Sequence, residues 1–309
     1  MNFKKTCTTA LLVALSLGSV GTTAISASAK SQVHPHVSYA RGAVAMDADT
    51  GKVVWSKNAN TARPIASNTK VMTLYLALQK VHSKHFGWDS KYTVKSHGLV
   101  RMSRDDGNCG GFHFYYGEKL TIKQLYEAAY LDSSNNSAIA LGQWVSGSNG
   151  KFIKKMNSQA HKWGLKHTHF VSASGLENWD LRHYGYAYGK ANANKVSPKD
   201  LAIITRHLVK KDPVVLKTGL IGSMKVKGQR VHNYNNLLKG RKYYDKSLHV
   251  DGLKTGYTPL AGYCFIGTAK KPGHHRVITV VLHDENEFTE TKSMMRYAFN
   301  LKSMKDTNF

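Results

Sequence analysis

The chain has 309 residues, 41% of them hydrophobic and 20% charged, with 44 Lys and Arg against 19 Asp and Glu for a formal net charge of +25. That length is ample for one large core, and the ordinary apolar content excludes a disordered or fibrous chain. Three cysteines, one of them within the first ten residues, are too few for a disulfide scaffold.

In chain order, Lys4 and Lys5 precede an apolar run from Ala10 to Val20, and Ala27-Ser28-Ala29 supplies the small residues of a cleavage site. This predicts a secretory signal peptide over residues 1–29. The run is broken by Ser and Gly and is shorter than the roughly 20 residues of a spanning helix. Cys7 lies inside the signal and is not placed for lipid attachment. The remainder, 30–309, reads as one domain without linker, repeat or low-complexity stretch, and keeps 42 basic and 19 acidic side chains, a balance of +23. Export separates it from nucleic acid, and no recognition motif or long basic tail is present. The charge therefore points to anionic wall polymers or lipid head groups, with a merely solvated basic surface as the alternative.

Ala43–Ala48 and Lys52–Lys57 flank Asp49-Thr50-Gly51, the composition of a tight hairpin. Ser67 through Leu78 is almost wholly apolar at helical length, which predicts a helix buried on most sides. A second helix opens at Thr121, with Gln124 completing a capping box, and a third runs from about Ser137 to Trp144. After position 245 three strands follow, His249–Tyr257, Gly262–Lys270 and His275–His283, then an amphipathic helix carrying Phe288, Met294, Met295, Ala298 and Leu301. Strands at both ends with helices between them predict an α/β (α+β) fold, one antiparallel sheet built from the two termini and flanked by a helical lobe. A groove between the two is the expected place for a site.

Three short motifs fit that groove. In Ser67-Asn68-Thr69-Lys70 a spacing of three on a helix makes hydroxyl and amine neighbours. A serine needs a base to become a nucleophile, and lysine can be that base when desolvation lowers its pKa. The same spacing recurs at Ser148-Asn149-Gly150-Lys151, where the glycine context says turn. In Ser133-Ser134-Asn135 a serine can relay a proton and an asparagine amide can bind a substrate carbonyl and hold Lys70. Ser134 and Asn136 satisfy that spacing equally, and such a run also reads as a plain helix N-cap. In Lys254-Thr255-Gly256 strand alternation turns Lys254 and Gly256 to one face. A fixed cation then stands beside a position without a side chain, along which an extended peptide carboxylate could lie. Lys217-Thr218-Gly219 repeats the triplet but follows a helix-like segment, which predicts a helix end with Gly219 as C-cap.

S-x-x-K, S-x-N and K-T-G in this order form the motif set of penicillin-binding proteins and class A β-lactamases. With Arg63 to Thr73, Ser133 to Leu141, and Val250 to Gly256 followed by Ala261-Gly262-Tyr263-Cys264, the chain resembles the low-molecular-mass penicillin-binding proteins of the D-alanyl-D-alanine carboxypeptidase family from about Ala43 to Asn300. The resemblance selects Ser133 and Asn135 as the middle motif and implies a β-lactamase/D,D-peptidase-like fold. It implies that Ser67 attacks the bond between two D-alanines of a peptidoglycan stem peptide, that D-alanine leaves, and that water clears the acyl-enzyme. β-Lactam antibiotics would trap the same serine. It further implies Lys70 and Ser133 in catalysis, Asn135, Lys254, Thr255 and Gly256 in substrate binding, and the backbone N–H groups of Ser67 and Tyr257 as oxyanion hole. Strict alternation would turn Thr255 away from the face of Lys254, so its role comes from the resemblance.

Two features depart from the family. The segment from Glu177 to Lys195 is longer and richer in tyrosine (Tyr184, Tyr186, Tyr188), as a wall of the groove or a surface loop. The sequence also ends about ten residues after the last helix, which predicts a soluble single domain held at the envelope by charge or not held at all, without a C-terminal β-domain or anchor. A D,D-endopeptidase shares every motif. A class A β-lactamase needs an E-x-x-L-N glutamate, which Glu177 in Glu-Asn-Trp-Asp-Leu does not reproduce. A non-catalytic wall-binding protein would not need Ser67, Lys70, Ser133 and Lys254 together. No H-E-x-x-H pair or Cys/His ligand spacing appears, so neither metal nor cofactor is expected, and His274-His275 reads as a solvated turn. Cys109 and Cys264 are expected to be unpaired.

Overall fold

The computed structural model describes residues 34–105 and 112–306. The predicted signal peptide and Cys109 lie outside the described residues.

The strands of the main sheet are β1 (Gly42–Asp47), β2 (Val53–Lys57), β3 (Val250–Thr258), β4 (Gly262–Ala269) and β5 (Val277–Asp284). They are all antiparallel in the order β3-β4-β5-β1-β2, so the N-terminal hairpin docks on the C-terminal meander, Gly42 opposite Leu282 and Asp47 opposite Val277. The sheet predicted from both termini is present. β1 and most of β5 are fully buried because both faces of the sheet are covered. Alternation along β1 sends Val44 and Met46 into the larger core under the helices, and Ala43 and Ala45 toward Phe288 and Met294 on the other side.

The major helices are α1 (Lys70–Val81), α2 (Ile122–Leu131), α3 (Asn135–Ser146), α4 (Asn149–Lys162), α5 (Pro198–Lys211) and α6 (Glu287–Asn300). Only Gln79 and Lys80 of α1 escape full burial, as its continuous apolar run requires. It packs against α3 and α5. The Thr121–Gln124 capping box forms. α3 starts at Asn135, two residues before the predicted start, because Ser134 caps it by accepting a hydrogen bond from Ser137 N. α6 closes the opposite face of the sheet.

Several expectations change. Ser148 does not merely mark a turn: its hydroxyl accepts from Lys151 N and caps α4, a helix the sequence reading passes over. Lys217-Thr218-Gly219 does end a short helix, Val214–Gly219, but Gly219 is not a left-handed cap. A β-carbon there would stand 2.7 Å from the Tyr130 hydroxyl and 2.8 Å from Asp251 O, so close packing demands the glycine. His275 is not a solvated turn residue, since its Nδ1 lies 2.8 Å from Asp47 Oδ2 and its ring is largely covered. Cys264 is buried and free, as expected.

Candidate active site

Ser67 sits in a 3-10 turn, Ala66–Thr69, that runs directly into α1. Ala66 adopts φ 46°, a left-handed conformation that a non-glycine residue holds only where its surroundings force it. Gly175, itself at φ 100°, packs directly against this turn: a β-carbon there would lie 2.0 Å from Ala66 O and 2.9 Å from Ser67 N. On the other side Gly256 of β3 also approaches the turn, less tightly. Its absent β-carbon would lie 3.0 Å from Asn68 N and Ile65 O and 3.1 Å from Ser67 N. The serine turn is thus clamped between two glycines.

Lys70, the first residue of α1, is completely buried. Its Nζ lies 2.7 Å from Ser67 Oγ, 2.7 Å from Asn135 Oδ1 and 2.8 Å from the carbonyl of Ser174. Burial holds this amine well below the usual lysine range, and the nearby Lys254 cation acts in the same direction. The segment carrying Ser174 is pinned to α1 by the Thr73 hydroxyl on Ala173 O at 2.7 Å, and by Asn194, whose Nδ2 donates to Thr69 Oγ1 and Ser172 O.

Ser133 occupies the turn between α2 and α3 with φ 56°. Lys254 Nζ donates to its hydroxyl and to Thr255 O, each at 3.0 Å. Lys254 is 2% exposed, and burial lowers its amine to about 7 against the opposing pull of Asp132. The two overlapping registers lie in different surroundings. Ser133 and Asn135 face the two lysines, whereas Ser134 and Asn136 face inward. Ser134 Oγ donates to Asn136 Oδ1 at 2.5 Å, and Asn136 Nδ2 donates to Phe112 O.

A cleft of about 640 Å³ lies where the serine turn and α3 meet β3, and Ser67, Ser133, Asn135, Thr255, Gly256 and Tyr257 all line it. Thr255 reaches this cleft although it alternates away from Lys254. β3 is an edge strand, and the cleft extends from it toward Tyr263 of the neighbouring β4 and Glu287 at the start of α6.

The sequence reading did not single out Asp132, Ser174 or Gly175. Ser174 contributes only a carbonyl and Gly175 only an absent β-carbon, and neither leaves a side-chain signature. Within the tyrosine-rich segment, Glu177 is buried and accepts the Thr258 hydroxyl at 2.6 Å. Burial raises its carboxyl above the usual range in spite of that bond. Tyr186 is buried and donates to Ser96 Oγ, and Tyr188 packs over Gly150. The segment is therefore packed against the helical lobe and is not a free surface loop. Asp47, Asp49 and His275 come close enough to share an ion, but Asp47 is already occupied by Asp49 N, Thr50 N and His275, and none of the three lines the cleft.

Residues 28–286 match the family described as D-alanyl-D-alanine carboxypeptidase. The D-alanyl-D-alanine carboxypeptidase DacF of Bacillus subtilis is 32% identical over 270 residues, an alignment that covers 84% of this chain and 62% of the relative, so the chain spans less than two thirds of that protein. Among solved structures, a peptidoglycan synthesis regulatory factor (PBP3) from Streptococcus pneumoniae superposes with a TM-score of 0.77 at 32% identity, covering 84% of this chain and 74% of the other. Penicillin-binding protein D2 from Listeria monocytogenes, solved in its cefotaxime-bound form, gives a TM-score of 0.69 at 30% identity, over 86% of this chain and 100% of the other.

Proposed function

The chain belongs to the D-alanyl-D-alanine carboxypeptidase family, and from that premise we propose that it removes the terminal D-alanine from peptidoglycan stem peptides by acyl transfer to Ser67. The observation that carries this reading is the contact of a wholly buried lysine amine with a serine hydroxyl, Lys70 Nζ to Ser67 Oγ at 2.7 Å. A neutral amine has two hydrogens and one lone pair. Asn135 Oδ1 and Ser174 O take the hydrogens, which leaves the lone pair facing Ser67. Lys70 accepts the serine proton as the oxygen attacks the carbonyl between the two D-alanines. The backbone N–H groups of Ser67 and Tyr257 hold the developing oxyanion, a kind of donor worth about 3 kcal/mol each.

The proton then has to reach the departing amine. Ser133, bonded to Lys254, stands as the relay, and the Lys254 cation with Thr255 receives the terminal carboxylate. Water hydrolyses the acyl-enzyme in a second step. Glu177 does not serve as a β-lactamase-type base, because its carboxylate is committed to Thr258. A β-lactam presents the same reactive carbonyl and acylates Ser67. The protein acts outside the cytoplasm, at the wall, where both substrate and drug are found.

Incubation with a labelled penicillin followed by peptide mapping tests the nucleophile; label on any residue other than Ser67 ends this account. A pentapeptide ending in D-alanyl-D-alanine and a cross-linked stem dimer, offered side by side, test the substrate. Free D-alanine from the pentapeptide alone supports a carboxypeptidase, whereas cleavage of the dimer makes the protein an endopeptidase.

A further inference from the structure

Between Ser133 and Leu176 the sequence contains no Asp or Glu, yet it carries five lysines. α4 lies in the middle of this stretch. Its apolar side, Phe152, Ile153, Met156 and Ala160, is buried in the protein. Lys151, Lys154, Lys155 and Lys162 stand on the outer side and are exposed. The exposed cations continue past the helix to Lys166 and to Lys195, the latter on the strand that pairs with Thr168–His169, which α4 contacts. None of the ion pairs among the described residues uses any of these six lysines.

Folding alone does not favour this arrangement. Like charges at spacings of three and four, as at Lys151 with Lys154 and Lys155, destabilise a helix by about 0.2–0.5 kcal/mol per pair. Lys151 also stands in the first turn, where a carboxylate would suit the helix dipole and none is present. The uncompensated field reaches the neighbouring helix: Lys155 adds to the burial that lowers the Lys80 amine. None of the six lysines lines the catalytic cleft.

We propose that the outer face of α4, continued by Lys166 and Lys195, is a docking surface for a linear phosphodiester polymer of the cell wall. Lys151 to Lys162 covers about 17 Å at 1.5 Å per residue, so several phosphates of one extended strand can be met at once. The apolar side of the helix is spent on the core, so this face has nothing to insert into a bilayer. That favours a soluble polyanion over a lipid surface. Docking here leaves the cleft open and keeps the enzyme beside its substrate.

The test is sedimentation of the full chain with purified walls that carry a phosphodiester polymer, with the same walls stripped of it by hydrofluoric acid, and with phosphatidylglycerol vesicles. Lys151, Lys154, Lys155 and Lys162 are changed together to Gln, and the control changes Lys239, Lys242, Lys246 and Lys302 to Gln for an equal loss of charge. The α4 variant should bind polymer-bearing walls at least tenfold more weakly than the control at 0.1 M salt. Its slope of log affinity against log salt should be shallower than the parent's by about 3, since each phosphate contact contributes about 0.7. Equal weakening in the two variants, binding that survives removal of the polymer, or a preference for vesicles over walls would each overturn the proposal. Penicillin labelling of Ser67 in both variants reports that the fold is intact, and it separates a failure of this surface from a failure of the catalytic reading.

Discussion

Glu177 and Thr258 are 81 residues apart in sequence, yet the Thr258 hydroxyl donates to Glu177 Oε1 at 2.6 Å while its oxygen accepts from Ala261 N at 3.1 Å. This bond ties the loop that follows Gly175 to the end of the strand carrying Lys254, one residue past Tyr257. We predict that Glu177→Ala lowers the acylation rate by about 10–100-fold, equivalent to about 1.4–3 kcal/mol in the barrier, with little change in KM. The Tyr257 N–H is no longer held in place in that variant. Glu177→Gln, which keeps an acceptor oxygen, should recover most of the rate. Stopped-flow acylation by a chromogenic β-lactam measures this. Normal acylation with slowed deacylation in Glu177→Ala would instead make Glu177 a hydrolytic base.

The two buried lysines should cost stability in a pH-dependent way. Lys254 is lowered to about 7 in the folded protein from an unfolded value of 10.5, so the unfolded chain binds more protons between those limits. The cost is fully present below pH 7 and shrinks as pH rises toward 10.5. Lys254→Met should therefore melt at a higher temperature than the parent near pH 7, with the gap closing as pH rises, and it should bind substrate poorly throughout. Lys70→Met follows the same sign, since its amine is also lowered, and it should acylate at least 1000-fold more slowly, because the proposed base is gone. Thermal melts across pH 6–10 beside acylation rates decide the point, and a gap that widens with pH would contradict it.

Gly256 offers a sharper geometric test. Its missing β-carbon faces only backbone atoms of the serine turn, at 3.0–3.1 Å, and backbone cannot swing aside as a side chain can. Gly256→Ala should force the turn and β3 apart by a few tenths of an ångström and slow acylation by about 10-fold. Gly222→Ala, where a β-carbon would meet nothing within 4 Å, is the control and should leave the rate unchanged.

How far the sequence revealed the molecule depended on where each piece of information resides. Ser67, Lys70 and Lys254 were legible because their chemistry lies in side chains at short, fixed spacings, and the Thr121–Gln124 cap because its two partners are three residues apart. α4 was hidden by its opening Asn149-Gly150, which reads as a turn, although Phe152, Ile153, Met156 and Ala160 fall on one helical face once the period is imposed. Ser174 enters the site through its carbonyl and Gly175 through an absent β-carbon, and neither announces itself in a residue pattern. Alternation correctly turned Thr255 away from Lys254, but it could not tell which face of β3 borders the cleft, and that is the face Thr255 reaches.

Ser133 and Ser134 are adjacent and chemically identical, so they provide the last and most direct prediction. Ser134 is fully buried, caps α3 through Ser137 N at 3.2 Å, and bonds to Asn136 and Ser137. Ser134→Ala removes the cap, worth about 1 kcal/mol, and leaves the buried Asn136 oxygen without its hydroxyl donor. The loss of the cap alone should lower the melting temperature by about 2–4 °C, at 2–4 °C per kcal/mol for a chain of this size, while the acylation rate per folded molecule stays near that of the parent. Ser133 instead sits at φ 56° with its hydroxyl on Lys254. Ser133→Ala should leave the melting temperature nearly unchanged and reduce acylation by about 100-fold, within the range of a lost proton relay. Ser133→Gly should lose the same activity but gain a little stability, since glycine adopts that backbone without strain. Were Ser134→Ala the inactive variant and Ser133→Ala the unstable one, the register would be Ser134 with Asn136, and the proton path drawn through Ser133 would have to be abandoned.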